Sequence, residues 1–322
     1  MDDRDDMRAA LLDRHGPPGV LYEGRVPVPS PGPGEVLVRV HAASVNGGDL
    51  PLRAGRLRAV SGRRFPQRTG MDFAGEVAAV DAAVRGLDEG TPVWGMLRRG
   101  RLGSAAEYVA VRPRQLALAP AGIPLEEAAA LPAVGATAIT ALRDRARLRP
   151  GERLLVRGAS GGVGSVAVQL GKAIGAHVTG IAGPRNLDLV RALGADEAVD
   201  RTGIRPSDLG RFDVVLDTVG TGLSAYRALL APGGRMVAIA LDFDRPLPSA
   251  AAVLASAVHG RRRVRLFSAD PGHELFAALT RYAEAGDLRP VVDTVRPLAD
   301  IAAAHRALEG GGVRGKHVVR IG

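Results

Sequence analysis

The stretch that most constrains the fold runs Leu154-Leu-Val-Arg-Gly-Ala-Ser160-Gly161-Gly162-Val163-Gly164-Ser-Val-Ala-Val-Gln-Leu-Gly-Lys172. A short apolar run, a glycine cluster and then apolar residues at helical spacing (Val163, Val166, Ala167, Leu170, Ala173, Ile174) read as strand, tight turn and helix. A helix that opens on such a turn offers unpaired N–H groups and the positive end of its dipole, so it can hold a pyrophosphate. Gly161 lets the backbone approach the phosphates and Gly164 lets the helix pack closely on the strand. The residues expected to meet the cofactor here are Ser160, Gly161, Gly162, Val163 and Gly164. The pattern is A-x-G-x-x-G, with Ala159 where the strict fingerprint has glycine.

In a dinucleotide fold an acid about 20 residues past the glycines, at the end of the second strand, binds the free ribose hydroxyl of NAD. This chain reads His177-Val-Thr-Gly-Ile-Ala-Gly183-Pro184-Arg185-Asn186, and its first acid, Asp188, falls inside the next expected helix. Arg185 offers a planar charged fork suited to a 2′-phosphate, with Asn186 as a second donor. The reading is NADPH over NADH. Further contacts are expected after Asp217 ends the fourth strand, where Thr218, Val219 and Gly220 pass the nicotinamide ribose. Phe267, Ser268 and Ala269 should end the last strand near the carboxamide.

With 322 residues, 46% of them hydrophobic, the chain has room for two ordinary cores. It has no cysteine, which excludes disulfides and thiolate metal sites. The charged start Met1–Asp6 reads as a short frayed tail with no apolar signal region, and a cytoplasmic location is expected. A net charge of +9 raises the question of a nucleic-acid partner, but all except two of the 43 basic residues are arginine. Arg53, Arg56, Arg58, Arg63, Arg64 and Arg68, and Arg261–Arg263 with Arg265, read as solvated faces. At 3%, the aromatics are too scarce to build stacking platforms for single strands.

The early chain carries alternating segments, Gly34–His41, Phe73–Val80 and Glu107–Val111, which predict a mostly β domain. From Pro124 helices alternate with apolar strands, the pattern of a parallel sheet. The strands expected are Leu154–Arg157, His177–Ile181, Glu197–Val199, Asp213–Leu216, Arg235–Ala240 and Val264–Phe267. After Asp270 come a helix at Leu275–Ala285, an extended piece at Val291–Val295, a helix at Leu298–Leu308 and a strand at His317–Ile321. That tail should fold back on the first domain, with the active site in the cleft between domains. The expected division is 1–122 completed by 271–322, and 123–270.

Ala43-Ser-Val-Asn46-Gly-Gly-Asp49, Gly70-Met-Asp72-Phe-Ala-Gly75, Ala106-Glu-Tyr-Val109, Ala128-Ala-Ala-Leu-Pro132, Leu193-Gly-Ala-Asp196, Asp213–Gly220, Pro232-Gly-Gly234 and Gly315-Lys316 join the glycine turn as landmarks. Together they resemble, nearly end to end, the zinc-independent quinone oxidoreductase branch, zeta-crystallin-like, of the medium-chain dehydrogenase/reductases. The resemblance implies an α/β chain: a GroES-like β domain plus a doubly wound Rossmann domain with a six-stranded parallel sheet, and a homodimer joined through the Rossmann sheets. Zinc enzymes of this superfamily place cysteine at the position of Asn46 and Gly-His-Glu at Gly70-Met71-Asp72. Neither asparagine nor methionine is a credible zinc ligand here. Gly48 also takes the place of the hydroxyl that relays the alcohol proton, so no metal is expected.

Without a Lewis acid, the accessible reaction is hydride delivery to the β-carbon of an enone or enal, or to a quinone. The developing oxyanion then needs a hydrogen-bond donor. Asn46 is the first candidate, against its alternative use as a turn residue bonding its own backbone. Asp49 and Arg53 are read as a supporting buried pair. Relatives place a tyrosine after Arg53-Ala-Gly55, where this chain has Arg56-Leu57, so that phenolic donor is missing. Trp94 and Met96 are read as pocket lining or packing, and Tyr108 as a core aromatic. Two other readings are an enoyl reductase acting on a carrier-bound or polyketide-like intermediate, and an NADPH-binding protein with little turnover that attaches to RNA.

Overall fold

The computed structural model describes residues 6–58, 64–242 and 246–322. Met1–Asp5 and Arg63 lie outside the described residues, and so does the side chain of Arg261. The chain divides into two compact units, Met1–Ala136 with Asp270–Gly322, and Thr137–Ala269. No described helix is long and apolar enough to cross a membrane.

The first unit is built on two sheets. The smaller has the order β2 (Leu21–Pro27), β1 (Asp6–Leu12), β4 (Gln67–Arg68). The larger, seven-stranded sheet runs β15 (Val292–Pro297), β16 (Lys316–Arg320), β3 (Val36–Ser44), β5 (Asp72–Val80), β6 (Pro92–Met96) and β8 (Leu116–Leu118), with β7 (Tyr108–Val111) also paired to β3. Alternation explains β3, because Val36, Val38 and Val40 point into one core with Phe73, Val77 and Val93. The tail folds back as expected: β16 pairs antiparallel with β3, setting Val318 opposite Ser44. Residues 125–128 form a short helix against β3, β5 and β16.

Sequence and structure differ at several points of this unit. Asp6, expected in a frayed tail, begins β1, and neither β1 nor β2 was anticipated. Trp94 is fully buried and its indole N–H donates to Thr280 Oγ at 3.1 Å, so it packs in the core. Tyr108 is only half-buried. Asp49 and Arg53, expected as a pair, take separate partners. Arg53 ends the helix Asp49–Arg53 and donates to Gly16 O at 3.1 Å and to the Glu309 carboxylate, while Asp49 accepts from the backbone N–H of Asn46. The guanidinium is thereby drawn to the helix Ile301–Glu309.

The second unit is a six-stranded parallel sheet in the order β11 (Glu197–Asp200), β10 (His177–Ala182), β9 (Arg153–Arg157), β12 (Phe212–Asp217), β13 (Leu230–Ala238), β14 (Val264–Leu266). Leu154, Leu155 and Val156 are all fully buried, as a central parallel strand covered on both faces requires. The helix Gly162–Ile174 ends where Gly175 turns left-handed, with Lys172 in its last turn. β13 begins at Leu230, earlier than expected, and β14 stops at Leu266, which leaves Phe267–Ala269 beyond its end.

His305, buried on the helix Ile301–Glu309, lies 3.5 Å from Arg53 through Nδ1. Burial, with the Arg53 charge second, pushes its imidazole down from 6.5 to about 3. The folded state therefore holds His305 neutral. That contribution to stability is full above the unfolded value and is lost as pH falls from 6.5 toward 3. Asp49 acts in the opposite sense, since its raised carboxyl favours folding as pH falls through about 7. The difference between wild type and His305→Gln isolates the histidine. Its stability advantage should shrink below about pH 6, approaching about 1.4 kcal/mol per pH unit in chemical denaturation. A pH-independent difference would contradict this account.

Candidate functional site

At the end of β9, Gly158 turns left-handed at φ +72°, where a Cβ would sit 2.4 Å from Thr218 Oγ. Gly164 comes closer still, since a Cβ there would lie 2.0 Å from Gly158 O. Both glycines are therefore demanded by the chain's own packing. Gly161 is different. Its Cβ would meet nothing nearer than Gly158 O at 3.4 Å, an ordinary contact, so the chain's own packing does not require glycine there. The first helical hydrogen bond runs from Ser165 N to Gly161 O, and no side chain caps the helix. The N–H groups of Gly162, Val163 and Gly164 thus have no acceptor within the helix, which makes the turn fit for a pyrophosphate. Ala159 is tolerated because the adjacent strand offers Gly180, whose Cβ would lie 3.0 Å from that of Ala159.

The chain leaves β9 toward β10 on one side and returns through β12 on the other, so the carboxyl ends of β9 and β12 form the topological switch point. The turn after β12 is fixed there. Asp217 is fully buried; its Oδ1 accepts the N–H groups of Val219 (3.0 Å) and Gly220 (2.6 Å), and its Oδ2 pairs with Arg157. Arg157 also donates to Thr221 O at 2.6 Å and lies 3.7 Å from the centre of the Tyr226 ring. Thr218 donates its hydroxyl to Arg157 O at 2.7 Å. The outcome is a rigid turn beside the glycines that leaves Val219 44% exposed.

Beyond the end of β10, Arg185 is exposed and its side chain has no hydrogen bond or ion pair among the described residues. Asn186 is buried instead, and its amide donates to Ser160 Oγ at 3.1 Å, so it braces the glycine turn rather than standing open to a ligand. Asp188 lies on the helix Leu187–Ala192, outward-facing and paired with Arg191. The sequence reading missed Arg201. It follows β11, its N–H bonds Ala182 O at 2.9 Å, and its Nε lies 3.6 Å from where a Cβ on Gly183 would stand. Two exposed guanidinium groups thus flank the end of β10. The neighbouring acid, Asp200, has Oδ1 occupied by the Thr202 N–H and hydroxyl. Phe267, Ser268 and Ala269 follow the edge strand, with β12 and β13 between them and β9.

In the first unit, β3 leads into Asn46, which is 7% exposed. One Nδ2 hydrogen goes to Ser44 O at 3.2 Å, and Oδ1 accepts from Lys316 Nζ at 2.6 Å. Lys316 also donates to Val45 O at 2.7 Å. Asp49 Oδ2 accepts the Asn46 backbone N–H at 2.8 Å, and Asp72 accepts the Ser44 N–H (3.1 Å) and hydroxyl (2.7 Å). Burial pushes the Asp49 carboxyl up to about 7, with Asp72 adding to the rise and Lys316 opposing it. Burial likewise lowers the Lys316 ammonium, against the pull of Asp72 and Asp49. Met71 lies over this turn, its Cε 3.1 Å from where a Gly48 Cβ would be. Among the described residues no group of three or more histidines and carboxylates is placed to hold a metal.

The two glycines should separate in experiment. Gly164→Ala forces backbone apart and is expected to destabilise by about 3 kcal/mol or more. Gly161→Ala should change stability by less than about 1 kcal/mol, while weakening NADPH binding at least tenfold in a fluorescence titration. Equal effects on stability would contradict the assignment.

Comparison with known proteins follows the same lines. A family model described as an alcohol dehydrogenase GroES-like domain matches residues 32–121, and one described as a zinc-binding dehydrogenase matches residues 193–319. The chain is 32% identical to the quinone-oxidoreductase QR1 of Triphysaria versicolor, over 97% of this chain and 98% of the relative. It is 34% identical to an NADPH-dependent alkenal/one oxidoreductase of Arabidopsis thaliana, over 98% and 79% respectively. The solved quinone oxidoreductase from Coxiella burnetii superposes with a TM-score of 0.90 at 29% identity, covering 98% of this chain and all of that one. With similarity of this extent in both units, the chain belongs to the medium-chain dehydrogenase/reductase superfamily, in its quinone oxidoreductase branch.

Proposed function

We propose that the chain is an NADPH-dependent reductase of quinones and of enones or enals, working without a metal. One observation carries the metal-free reading. Where zinc enzymes of the superfamily hold a cysteine ligand, Asn46 stands with its oxygen engaged by the Lys316 ammonium. A cationic side chain already occupies the place at which a metal would seek a donor. The names of the relatives, a quinone oxidoreductase and an alkenal/one oxidoreductase, support the acceptor class.

In this reading the N–H groups of the Gly161–Gly164 turn hold the pyrophosphate, Arg185 and Arg201 hold the 2′-phosphate, and Thr218–Gly220 line the nicotinamide ribose. Phe267–Ala269 serve the carboxamide, and Asn186 acts by bracing Ser160. Bound NADPH supplies the hydride. The protein's own work is to orient the acceptor and to stabilise charge on its oxygen. Asn46 contributes by donating its second Nδ2 hydrogen, and solvent supplies the proton afterwards. Asp49 supports the turn that carries Asn46, while Arg53 ties the end of its helix to Gly16 and Glu309.

We further propose a homodimer through β14, an edge strand beside the exposed Leu254, Val258 and Leu266. A cytoplasmic location fits the reductant used.

The test is NADPH consumption against quinones, 2-alkenals and carrier-bound enoyl thioesters, with NADH as control. Turnover of the first two classes with a preference for NADPH is expected. Exclusive turnover of the thioester would favour the carrier-bound reading, and no turnover with salt-dependent RNA binding would favour the non-catalytic one. Arg185→Ala and Arg201→Ala should each raise KM for NADPH about tenfold, or about 1.4 kcal/mol, with KM for NADH unchanged. Loss of both cofactors alike would remove the arginines from the phosphate site.

A further inference from the structure

Lys316 is one of two lysines in a chain that otherwise uses arginine for positive charge. Lys172, the other, is a partly exposed residue paired with Asp196. Lys316 is 5% exposed, and its Nζ ends on Asn46 Oδ1 and Val45 O. Burying an ammonium is costly unless opposite charge and hydrogen bonds surround it. Here two buried carboxylates, Asp49 and Asp72, supply the opposite charge. Asp49 Oδ1 is itself buried with no partner among the described residues, so the polar cluster is more than a minimal ion pair.

An ammonium has donors only, so it must face the amide oxygen of Asn46, which removes the usual ambiguity between amide oxygen and nitrogen. The Nδ2 side is then fixed as well. One of its hydrogens bonds Ser44 O, and the other has no partner among the described residues. A hydrogen bond from a charged donor polarises the amide it touches and strengthens the N–H at its far end.

We infer that Lys316 is the cationic positioning residue of the reaction: its ammonium turns the Asn46 amide so that an N–H is presented to the acceptor oxygen, and strengthens that N–H as the oxygen becomes anionic. Lys316 keeps its proton throughout, and no bond to it forms or breaks. The inference rests on the reductase reading above. It assigns to a side chain, one residue removed from the substrate, the positive charge that a metal supplies in the zinc enzymes. The titratable groups facing Lys316 are Asp49, Asp72 and the adjoining His317, whose Nδ1 meets Thr294 Oγ at 2.9 Å.

The test compares Lys316→Met, Asn46→Ala and the double variant at saturating NADPH, with folding followed by circular dichroism. Removing the charge behind an oxyanion donor is expected to lower kcat on an enone about 100-fold, with NADPH affinity unchanged. A strongly oxidising quinone, which needs less charge stabilisation, should lose less. The double variant should be no slower than Asn46→Ala alone, since the lysine acts through the amide. Unchanged kcat in Lys316→Met, losses that multiply in the double variant, or an equal loss on both acceptors with NADPH binding lost in parallel would each overturn the inference. Should Lys316→Met not fold, the charge-balanced Asp49→Asn/Lys316→Met variant is read against Asp49→Asn by the same criteria. A wild type inactive on both acceptors would instead overturn the reductase reading.

Discussion

The nucleotide-binding unit depends on one backbone approach, that of Gly164 against the carbonyl of Gly158. It brings the helix Gly162–Ile174 down onto β9 and aims its free N–H groups at the switch point between β9 and β12. The rest of the site is braced to that point. Asn186 ties the end of β10 to Ser160, Thr218 ties the end of β12 to Arg157, and the buried Arg157–Asp217 pair fixes the turn through Gly220. Removing either partner of such a pair would leave a buried charge uncompensated, at a cost of about 3–5 kcal/mol. In the proposed reading, the outward surface of this frame, from Gly161 to Val219 and on to Arg185 and Arg201, meets the cofactor.

The first unit solves a different problem, the placement of charge in a β core without cysteine. Lys316, Asp49 and Asp72 are buried together around the turn that carries Asn46, while Arg53 is drawn away to Glu309. Burial, with Asp72 adding to it, raises Asp49 to about 7 against the opposing pull of Lys316. Within the cluster the Lys316 ammonium meets the Asn46 amide oxygen, which fixes the orientation of the amide.

What could be read in the sequence was what is local or fully buried. β9 and β12 carry apolar runs (Leu154–Val156 and Val214–Leu216) near glycine landmarks, and a central parallel strand has few other appearances. β1 was not legible because Ala9 and Ala10, both fully buried, carry little strand preference and its flanks are charged. Lys316 stood in the sequence only as part of a motif, since its partner Asn46 is 270 residues away. The same distance problem led to the mistaken Asp49–Arg53 pair: the true partner of Arg53 lies 256 residues on. Arg201 was missed because it belongs to the third strand, and only the sheet order sets it beside the end of the second. Its nearness to Gly183 could have been inferred from that order alone.

The central claim is conjugate reduction by a metal-free site, and the fate of the transferred hydrogen tests it most directly. Wild-type enzyme, treated with a strong chelator and supplied with NADPH deuterated at the transferring position, would be given a 2-alkenone and the product read by NMR. Undiminished turnover with deuterium on the β-carbon of a saturated ketone is the predicted result. Deuterium on the carbinol carbon, or activity that returns only when zinc is added, would contradict the account.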